Sequence, residues 1–474
     1  MTAGVDLSAR TYQLLLGLAA VGLGVLAGVD PRLGIAAAIG LAFVVLVMGD
    51  LTFGLCVFAV VAFLDLLPQL GGSLLSFSKI VGLLLAISWL AKVTSARDAR
   101  NGDTRNDFMA THPVFTYVLG LFVAWAAVSL LWAEDTTLVQ TPLMRYALNL
   151  VLFLIVFTAV RTPKQLLWAL GAYVVGATAA AAYGLARPPT DTAYYDIQRV
   201  AGTLGDPNEL ASVLVPAIVL ALGLAVVLKR APLLRLLLVG AALVCASGVF
   251  LTLSRGGLIA LGVALVASVV IAGRWRPQAF VLALTVGLGV LFWFSFVATD
   301  DQVNRVTHIE GGTGRTDLWN IGTRMIEDKP VTGVGLGNFQ VASVHYLLEP
   351  GVIERDEFIV DQPKVAHNTY LHVVAELGFV GGALFVSIIG FVLICVLRAA
   401  REFARMDELG LELLARALLV ALIGILTADF FISEQFSKQL WLLLGLGPAL
   451  LGVARSMQAA RERGERTPGA APSR

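Results

Sequence analysis

Long apolar runs alternate with short polar intervals along nearly the whole chain. A helix needs about twenty apolar residues to cross a bilayer, and on that scale the pattern predicts about fourteen membrane helices. The second and third runs are short, so they form either two spans or one broken or re-entrant pair. The approximate ranges are 11–29, 33–49, 51–67, 75–93, 113–132, 144–160, 165–186, 209–228, 232–253, 257–273, 278–297, 369–397, 411–431 and 437–455.

One polar interval, 299–366, is much longer than the other connections. Loops of this length are usually functional, so we expect the interval to carry the working face of the protein. It divides the chain into 1–298, with about eleven membrane helices, the polar loop 299–366, and 367–456, with about three more. A basic tail, 457–474, completes this division.

Two short helices are predicted inside the polar loop. After Gly314, apolar residues recur on one stripe as far as Ile326, which is typical of an amphipathic helix on a bilayer surface, and Pro330 ends it. Gly333, Gly335 and Gly337 follow with a spacing that superficially matches a dinucleotide fingerprint. No strand precedes them, so a tight turn before a helix over 338–348 is the better interpretation.

Composition confirms the class of protein that the pattern indicates. Of 474 residues 58% are hydrophobic and 14% are charged, and the mean hydropathy is +0.83. A soluble domain would carry about a quarter charged residues, so the chain is predicted to be an all-α polytopic membrane protein, about 12–14 helices in all. The three cysteines lie in apolar runs without metal-ligand spacing, and no nucleic-acid partner is expected.

The distribution of Lys and Arg predicts the orientation of the chain. Cytoplasmic loops of membrane proteins carry an excess of basic residues. With both termini in the cytoplasm, the basic clusters around Arg97, Arg161, Arg230, Arg274 and Arg401 all fall inside. The polar loop 299–366 then lies outside.

Several cations are expected at the outer edge, against this bias, and five of them are candidates for binding an anion. They are Lys79, Arg145, Arg199, Arg255 and Arg315. Each of them could simply extend towards lipid headgroups or pair with a carboxylate. Several at one depth favour an anion site, because the planar fork of a guanidinium group holds phosphate oxygens bidentately.

His367 stands where the polar loop returns to apolar sequence, just before the helix predicted from residue 369. Asn368 or Thr369 can cap that helix, and His372 and Glu376 lie one turn apart on it, close enough to pair. A lone histidine is more often structural than catalytic. Its position beside several arginines favours a general base for a hydroxyl group, whereas no cluster of ligands indicates a metal.

Several segments, taken together, resemble the O-antigen ligase and O-antigen polymerase superfamily. The resemblance extends from about Arg199 to Gly378, and each motif alone is weak. The segments are Arg199 with Asp206–Ala211, Ser254-Arg255-Gly256, Gly314-Arg315 with Trp319, Pro330 with Gly333 to Phe339, and His367 to Leu371 with Glu376-Leu377-Gly378.

The resemblance implies a glycosyltransferase-C-like membrane enzyme without metal or other cofactor. Such an enzyme transfers O-antigen glycan from undecaprenyl diphosphate to lipid A–core oligosaccharide at the periplasmic face of the inner membrane. On this reading His367 is the base, and direct attack inverts the anomeric centre. The cations would bind diphosphate, with Arg255, Arg199 and Arg315 favoured over Arg145 and Lys79, and three residues would give support: Asn368, Tyr370 and Asn338.

Other functions remain open at this stage. An O-antigen polymerase would join one glycan repeat to another, and a protein O-oligosaccharyltransferase would use a protein hydroxyl. The compact polar loop favours the ligase over both. A polysaccharide transporter is the alternative from another class, but charges near mid-bilayer or internal repeats would be expected for it.

Overall fold

The computed structural model describes residues 9–64, 77–98, 108–187, 199–307, 315–347 and 365–464. These ranges contain helices and no strands, so the prediction of an all-α polytopic membrane protein is confirmed. The helices are α1 Ala9–Val29, α2 Pro31–Gly49, α3 Leu51–Val61, α4 Phe77–Asp98, α5 Phe108–Thr111, α6 Pro113–Val128, α7 Gln140–Ala159, α8 Pro163–Ala186, α9 Pro207–Val227, α10 Pro232–Leu251, α11 Arg255–Ile271, α12 Arg276–Phe296, α13 Asp300–Thr307, α14 Arg315–Asp328, α15 Phe339–Leu347, α16 Thr369–Arg405, α17 Leu409–Ala428 and α18 Lys438–Glu462.

Nine helices in the described part of the chain are long and apolar enough to cross a membrane. Shorter apolar stretches occupy Gly17–Val29, Leu33–Val47, Leu51–Val61 and Arg255–Ile271. Each of the fourteen runs predicted from the sequence therefore coincides with a helix. The cause is local, because backbone polar groups in lipid must be satisfied within their own segment.

The core of the bundle is formed by α9, α17, α16 and α18. Helix α9 packs against α8, α10, α11 and α17, and α16 packs against α6, α17 and α18. Small residues allow the backbones to approach closely, since a β-carbon at Gly447 would lie 2.6 Å from Val392 Cγ1. By contrast, α12 has no buried residue, as expected of a helix that faces lipid.

The two ends of the bundle differ in character. We call the end that carries α13, α14 and α15 the polar end; α9, α11, α16 and α18 begin there. The opposite end contains ion pairs, including Arg274 with Glu412 at 3.1 Å and the shorter pair of Arg461 with Glu408. It also contains many of the basic residues that we predict to be cytoplasmic.

Helix α3 ends at Val61, six residues before the end of the predicted run 51–67. Side chains from distant parts of the chain donate hydrogen bonds to the carbonyl groups that the helix leaves unpaired. The Gln439 amide donates to Ala62 O at 2.7 Å, and the Thr203 hydroxyl donates to Phe63 O. The helix can therefore stop inside an apolar run. Conversely, α16 and α18 extend beyond their predicted ends, and α18 includes the first part of the predicted tail 457–474.

Helix α16 is kinked at Gly378, where φ is +66°. The glycine segment 330–338 lies beside this kink and bonds to its backbone. Val334 N donates to Ala375 O at 2.9 Å, and Phe379 N donates to Pro330 O at 2.7 Å. A β-carbon at Gly378 would lie 2.0 Å from Val331 O, so this close approach requires glycine. The predicted structural role of the glycine run is thus confirmed, and α15 begins within one residue of its predicted start.

Candidate functional site

His367 lies at the polar end, two residues before the first residue of α16. Its side chain is half-buried, and its backbone is in the left-handed region with φ +48°. Asn368 caps the helix, since its Oδ1 accepts hydrogen bonds from Tyr370 N and Leu371 N at 3.0 Å each. The predicted cap is confirmed, and it fixes the direction in which the chain enters α16 after His367.

The connection between α17 and α18, residues 429–437, holds the start of α16. Thr369 N donates to Asp429 O at 2.8 Å, and the Thr369 hydroxyl donates to Ile432 O at 2.8 Å. Glu434 N in turn donates to the Thr369 hydroxyl oxygen at 2.9 Å. Residues 429–437 therefore form the support on which the His367 segment rests.

The same connection contacts the turn that carries Arg255. A β-carbon at Gly256 would lie 2.6 Å from the β-carbon of Phe431, so the two backbones approach very closely there. Phe431 is adjacent to Ile432, which binds Thr369. The Arg255 turn and the His367 segment, distant in sequence, thus contact adjacent residues of connection 429–437.

Arg199 belongs to a hydrogen-bonded group that includes Ser254, the residue before Arg255. Arg199 Nε donates to Thr252 O at 2.7 Å, and its Nη2 donates to Asn208 Oδ1 at 3.1 Å. The Ser254 hydroxyl donates to the same Asn208 oxygen at 2.9 Å. This group also joins the N-termini of α9 and α11, which are capped by Asp206 and Ser254.

The fork of Arg255 is already engaged. Its Nε and Nη2 both donate to Arg305 O, at 2.8 and 2.6 Å. Arg305 lies in the last turn of α13. A carbonyl oxygen therefore occupies one of the two edges of the guanidinium group that can bind a pair of phosphate oxygens.

Arg315 is the first residue of α14, and its side chain is half-buried. One turn further along the helix, Trp319 Nε1 donates to Ala366 O at 3.1 Å. Ala366 directly precedes His367. This hydrogen bond holds the start of α14 against the His367 segment. Arg315 and Trp319 are separated by roughly one helical turn, or 5.4 Å along the helix axis.

Arg145 and Lys79 lie further along the polar end, and both are exposed. The guanidinium carbon of Arg145 is 5.9 Å from the centre of the Phe436 ring, so Arg145 borders connection 429–437. Beside Lys79, the Lys438 ammonium donates to the Ser78 hydroxyl at 3.3 Å. Lys438, which the sequence analysis did not single out, is a half-buried cation at this position.

The remaining predicted support residues make structural contacts. Asn338 is fully buried, and its amide accepts from Asp135 N at 2.7 Å and donates to Asp135 O at 3.1 Å. The Tyr370 hydroxyl donates to Leu426 O at 2.7 Å. Asn338 therefore fastens the connection between α6 and α7, and Tyr370 fastens α16 to α17.

His372 and Glu376 form the predicted pair inside α16. His372 Nε2 lies 3.1 Å from Glu376 Oε1, and His372 Nδ1 lies 3.0 Å from the Ser433 hydroxyl. Glu376 Oε1 also accepts a hydrogen bond from Phe339 N at 3.2 Å. The pair therefore links α16 to both α15 and connection 429–437.

Two acids at this end were missed by the sequence analysis. Asp429 is 1% exposed, and in the ranges that the structure describes neither of its carboxylate oxygens has a hydrogen-bond partner. Burial raises its pKa well above 3.8. Burial and the nearby carboxylates of Glu209 and Asp429 raise the pKa of Glu434, against the effect of Arg145. In the sequence, these two residues are marked only as acids in the short connection that follows the apolar run of α17.

This arrangement is suited to anion binding and proton transfer. Arg145, the Arg255 turn, the start of α16 and His372 lie around connection 429–437, and Asp429 and Glu434 within it favour the neutral form. Over the described ranges, no group of three or more His, Cys, Asp or Glu side chains has the arrangement of a metal site.

Comparison with known families gives one match. Residues 240–386 match the family model described as O-antigen ligase. The matched segment begins within α10 and ends within α16, so it contains Arg255, Arg315 and His367. Arg199 and connection 429–437 lie outside it. No curated protein matches the chain.

Proposed function

We propose that this chain transfers O-antigen glycan from undecaprenyl diphosphate to lipid A–core oligosaccharide, and the match of residues 240–386 to the O-antigen ligase family model supports the proposal. The reaction needs neither metal nor nucleotide, since the lipid diphosphate is an activated leaving group. One observation carries the proposal: the Arg255 turn contacts Phe431, and Thr369, two residues after His367, bonds the adjacent Ile432. A diphosphate-binding group and a base can therefore act on one substrate.

Arg255, Arg199 and Arg315 bind the diphosphate in this proposal, and Arg145 and Lys79 extend the cationic surface. The support comes from Asn208, which bonds both Arg199 and Ser254 and so holds two arginine-bearing segments together. Negative charge develops on the diphosphate as it leaves. Prearranged donors at this position stabilise that charge more than water would.

His367 takes the proton of the attacking hydroxyl group. The hydroxyl oxygen forms a bond to the anomeric carbon, the bond from that carbon to the phosphate oxygen breaks, and undecaprenyl diphosphate departs with the electron pair. Attack opposite the leaving group inverts the anomeric centre. Asn368 supports this role, because its cap fixes the backbone beside His367.

The membrane orientation is part of the proposal. The basic residues at the opposite end favour the cytoplasm, which leaves the polar end in the periplasm and the protein in the bacterial inner membrane. In this orientation the lipid-linked donor and the lipid-anchored acceptor reach the site from the same leaflet. Holding both together supplies much of the rate enhancement.

Lipid A–core is the proposed acceptor because the loop 299–366 is compact. A polymerase, which would use a second lipid-linked glycan, is the runner-up, followed by a protein O-oligosaccharyltransferase. A transporter is disfavoured because the candidate arginines, His367, the buried Asp429 and the half-buried Glu434 gather at one end of the bundle, not at its middle.

Reconstitution tests the proposal directly. The full chain in nanodiscs receives labelled lipid-linked glycan and purified rough lipopolysaccharide, without metal or nucleotide. We expect label on the lipopolysaccharide and inversion at the new linkage. Label on longer lipid-linked glycan instead would indicate a polymerase, and label on an added pilin-like protein would indicate protein glycosylation.

A further inference from the structure

A second feature of the polar end takes no part in the proposed transfer step. A cavity of about 490 Å³ lies between the C-terminal ends of α14 and α15. Its walls are formed by Arg324, Glu327, Asp328, His345 and Tyr346. The connection between α6 and α7 borders the cavity, since Glu134 Oε1 in this connection lies 2.9 Å from Nε2 of the lining residue His345.

The lining is polar but has no excess of positive charge. Arg324 Nη1 is 2.9 Å from Glu327 Oε2, and the Tyr346 hydroxyl donates to Asp328 Oδ2 at 2.8 Å. Carboxylates accept and guanidinium groups donate hydrogen bonds, so the walls match hydroxyl groups, which do both. An unpaired anion would meet two carboxylates. The cavity therefore suits an uncharged glycan and differs in kind from the cluster of arginines.

The position of the cavity relates it to His367. Both lie along α14: Trp319 binds the carbonyl before His367, and Asp328 at the cavity is nine residues further on, roughly 13 Å along the helix. Arg255 lies elsewhere, since α14 and α6 pack against α16 whereas α11 packs against α17 and α9. The cavity therefore lies at the opposite end of α14 from Arg315, and Arg255 lies at the start of another helix, α11.

We propose that this cavity is a subsite for the uncharged sugars of the acceptor glycan, an inference that rests on the proposed function. In an inverting displacement the nucleophile and the leaving group lie on opposite faces of the anomeric carbon. With the donor diphosphate at Arg255, Arg199 and Arg315, the acceptor glycan extends away from it, towards the last turn of α14. Sugars behind its attacking hydroxyl then reach the cavity.

The test is the double variant Arg324→Ala with Glu327→Ala, in the full chain in nanodiscs. The two side chains are 51% and 58% exposed, and such surface pairs contribute at most about 1 kcal/mol, so the variant is expected to fold. Initial rates are measured with purified rough lipopolysaccharide varied at saturating donor, and with the donor varied at saturating acceptor. Loss of two or more hydrogen bonds to sugar should raise the acceptor KM about tenfold, with kcat and donor KM unchanged.

A matched control is the double variant Arg405→Ala with Glu402→Ala. This pair has the same residue types, the same spacing and the same 2.9 Å separation, but it lies at the opposite end of the bundle. It should leave both KM values unchanged. An unchanged acceptor KM in the first variant, or a rise confined to the donor KM, overturns the acceptor subsite while the transfer activity stands. Absence of transfer by the wild type would overturn the proposed function and the subsite together.

Discussion

Arg255 holds the backbone carbonyl of Arg305 with two hydrogen bonds, 2.8 Å from Nε and 2.6 Å from Nη2. This edge of the guanidinium group is one of the two that can bind phosphate bidentately. The last turn of α13 thus occupies the position that a ligand could take at this edge. Donor binding at this edge of Arg255 would exchange the carbonyl for phosphate oxygens and would couple the donor to the position of α13.

Replacement of Arg255 by Lys keeps the charge and removes the fork. We expect turnover to fall about a hundredfold or more, because a single ammonium cannot reproduce two aligned donors. The measurement is transfer rate and donor KM for protein in nanodiscs. Arg276→Lys is the control, since Arg276 also directs Nε and Nη2 at backbone carbonyls, of Val269 and Val270, but at the opposite end. Unchanged donor KM and turnover in Arg255→Lys would refute the assignment.

His367→Ala should remove the base and leave the membrane protein assembled. Side-chain general bases typically contribute about a hundred- to ten-thousandfold, so the transfer rate should fall within that range. The donor KM should stay near the wild-type value, because the proposed diphosphate-binding residues are intact. The readout is the lipopolysaccharide ladder of a deletion strain that expresses the variant at normal level in membranes. A near-normal ladder would exclude His367 as the base.

Asp429 is expected to make stability depend on pH. Its pKa is raised in the folded protein, so above about pH 4 the unfolded chain ionises while the folded carboxyl keeps its proton. Its stabilising contribution is full when the pH is below the pKa of the carboxyl in the unfolded chain, and it is lost as the pH rises through the pKa of the carboxyl in the folded protein. Asp429→Asn removes this contribution, so its unfolding midpoint in detergent should decline less between pH 4 and pH 8.

The control for this measurement is Asp407→Asn at the opposite end, where the Asp407 side chain is 83% exposed. Its pH profile should follow that of the wild type. If Asp429→Asn also followed the wild-type profile, the carboxyl would be ionised in the folded protein and would need a cationic partner.

Gly378→Ala tests the kink in α16. The residue has φ +66°, and the new β-carbon would lie 2.0 Å from Val331 O, so the glycine segment 330–338 would be displaced. Backbone strain of this kind costs about 1–3 kcal/mol, and we expect a clearly lower unfolding midpoint. Gly390→Ala in the same helix is the control, because no atom lies within 4 Å of its new β-carbon. Equal midpoints for the two variants would contradict the close approach at Gly378.

Local features of the site were predictable because their causes lie within a few residues. Asn368 caps α16 through the two N–H groups that follow it. His372 and Glu376 meet because residues four apart share a helix face. The position of a glycine turn before α15 follows from the three glycines and the adjacent polar stretch. None of these needed knowledge of another helix.

The ends of helices were less predictable. The apolar run 51–67 continues past Val61, and only Gln439 and Thr203, far along the chain, provide donors for the freed carbonyls. The importance of residues 429–437 was missed for the same reason. Nothing in that short segment indicates that Thr369, Gly256 and His372 all rest on it.

The sequence alone determined that the chain is a bundle of apolar helices. Each span must form its backbone hydrogen bonds within itself in lipid, so its length and hydropathy are visible in the sequence. It also determined the chemical types available at one end: guanidinium groups, a histidine and a glycine-rich turn. Only the tertiary structure decided which of them meet. Contacts such as Phe431 with Gly256 and Arg255 with Arg305 depend on packing between distant helices, and no local pattern records them.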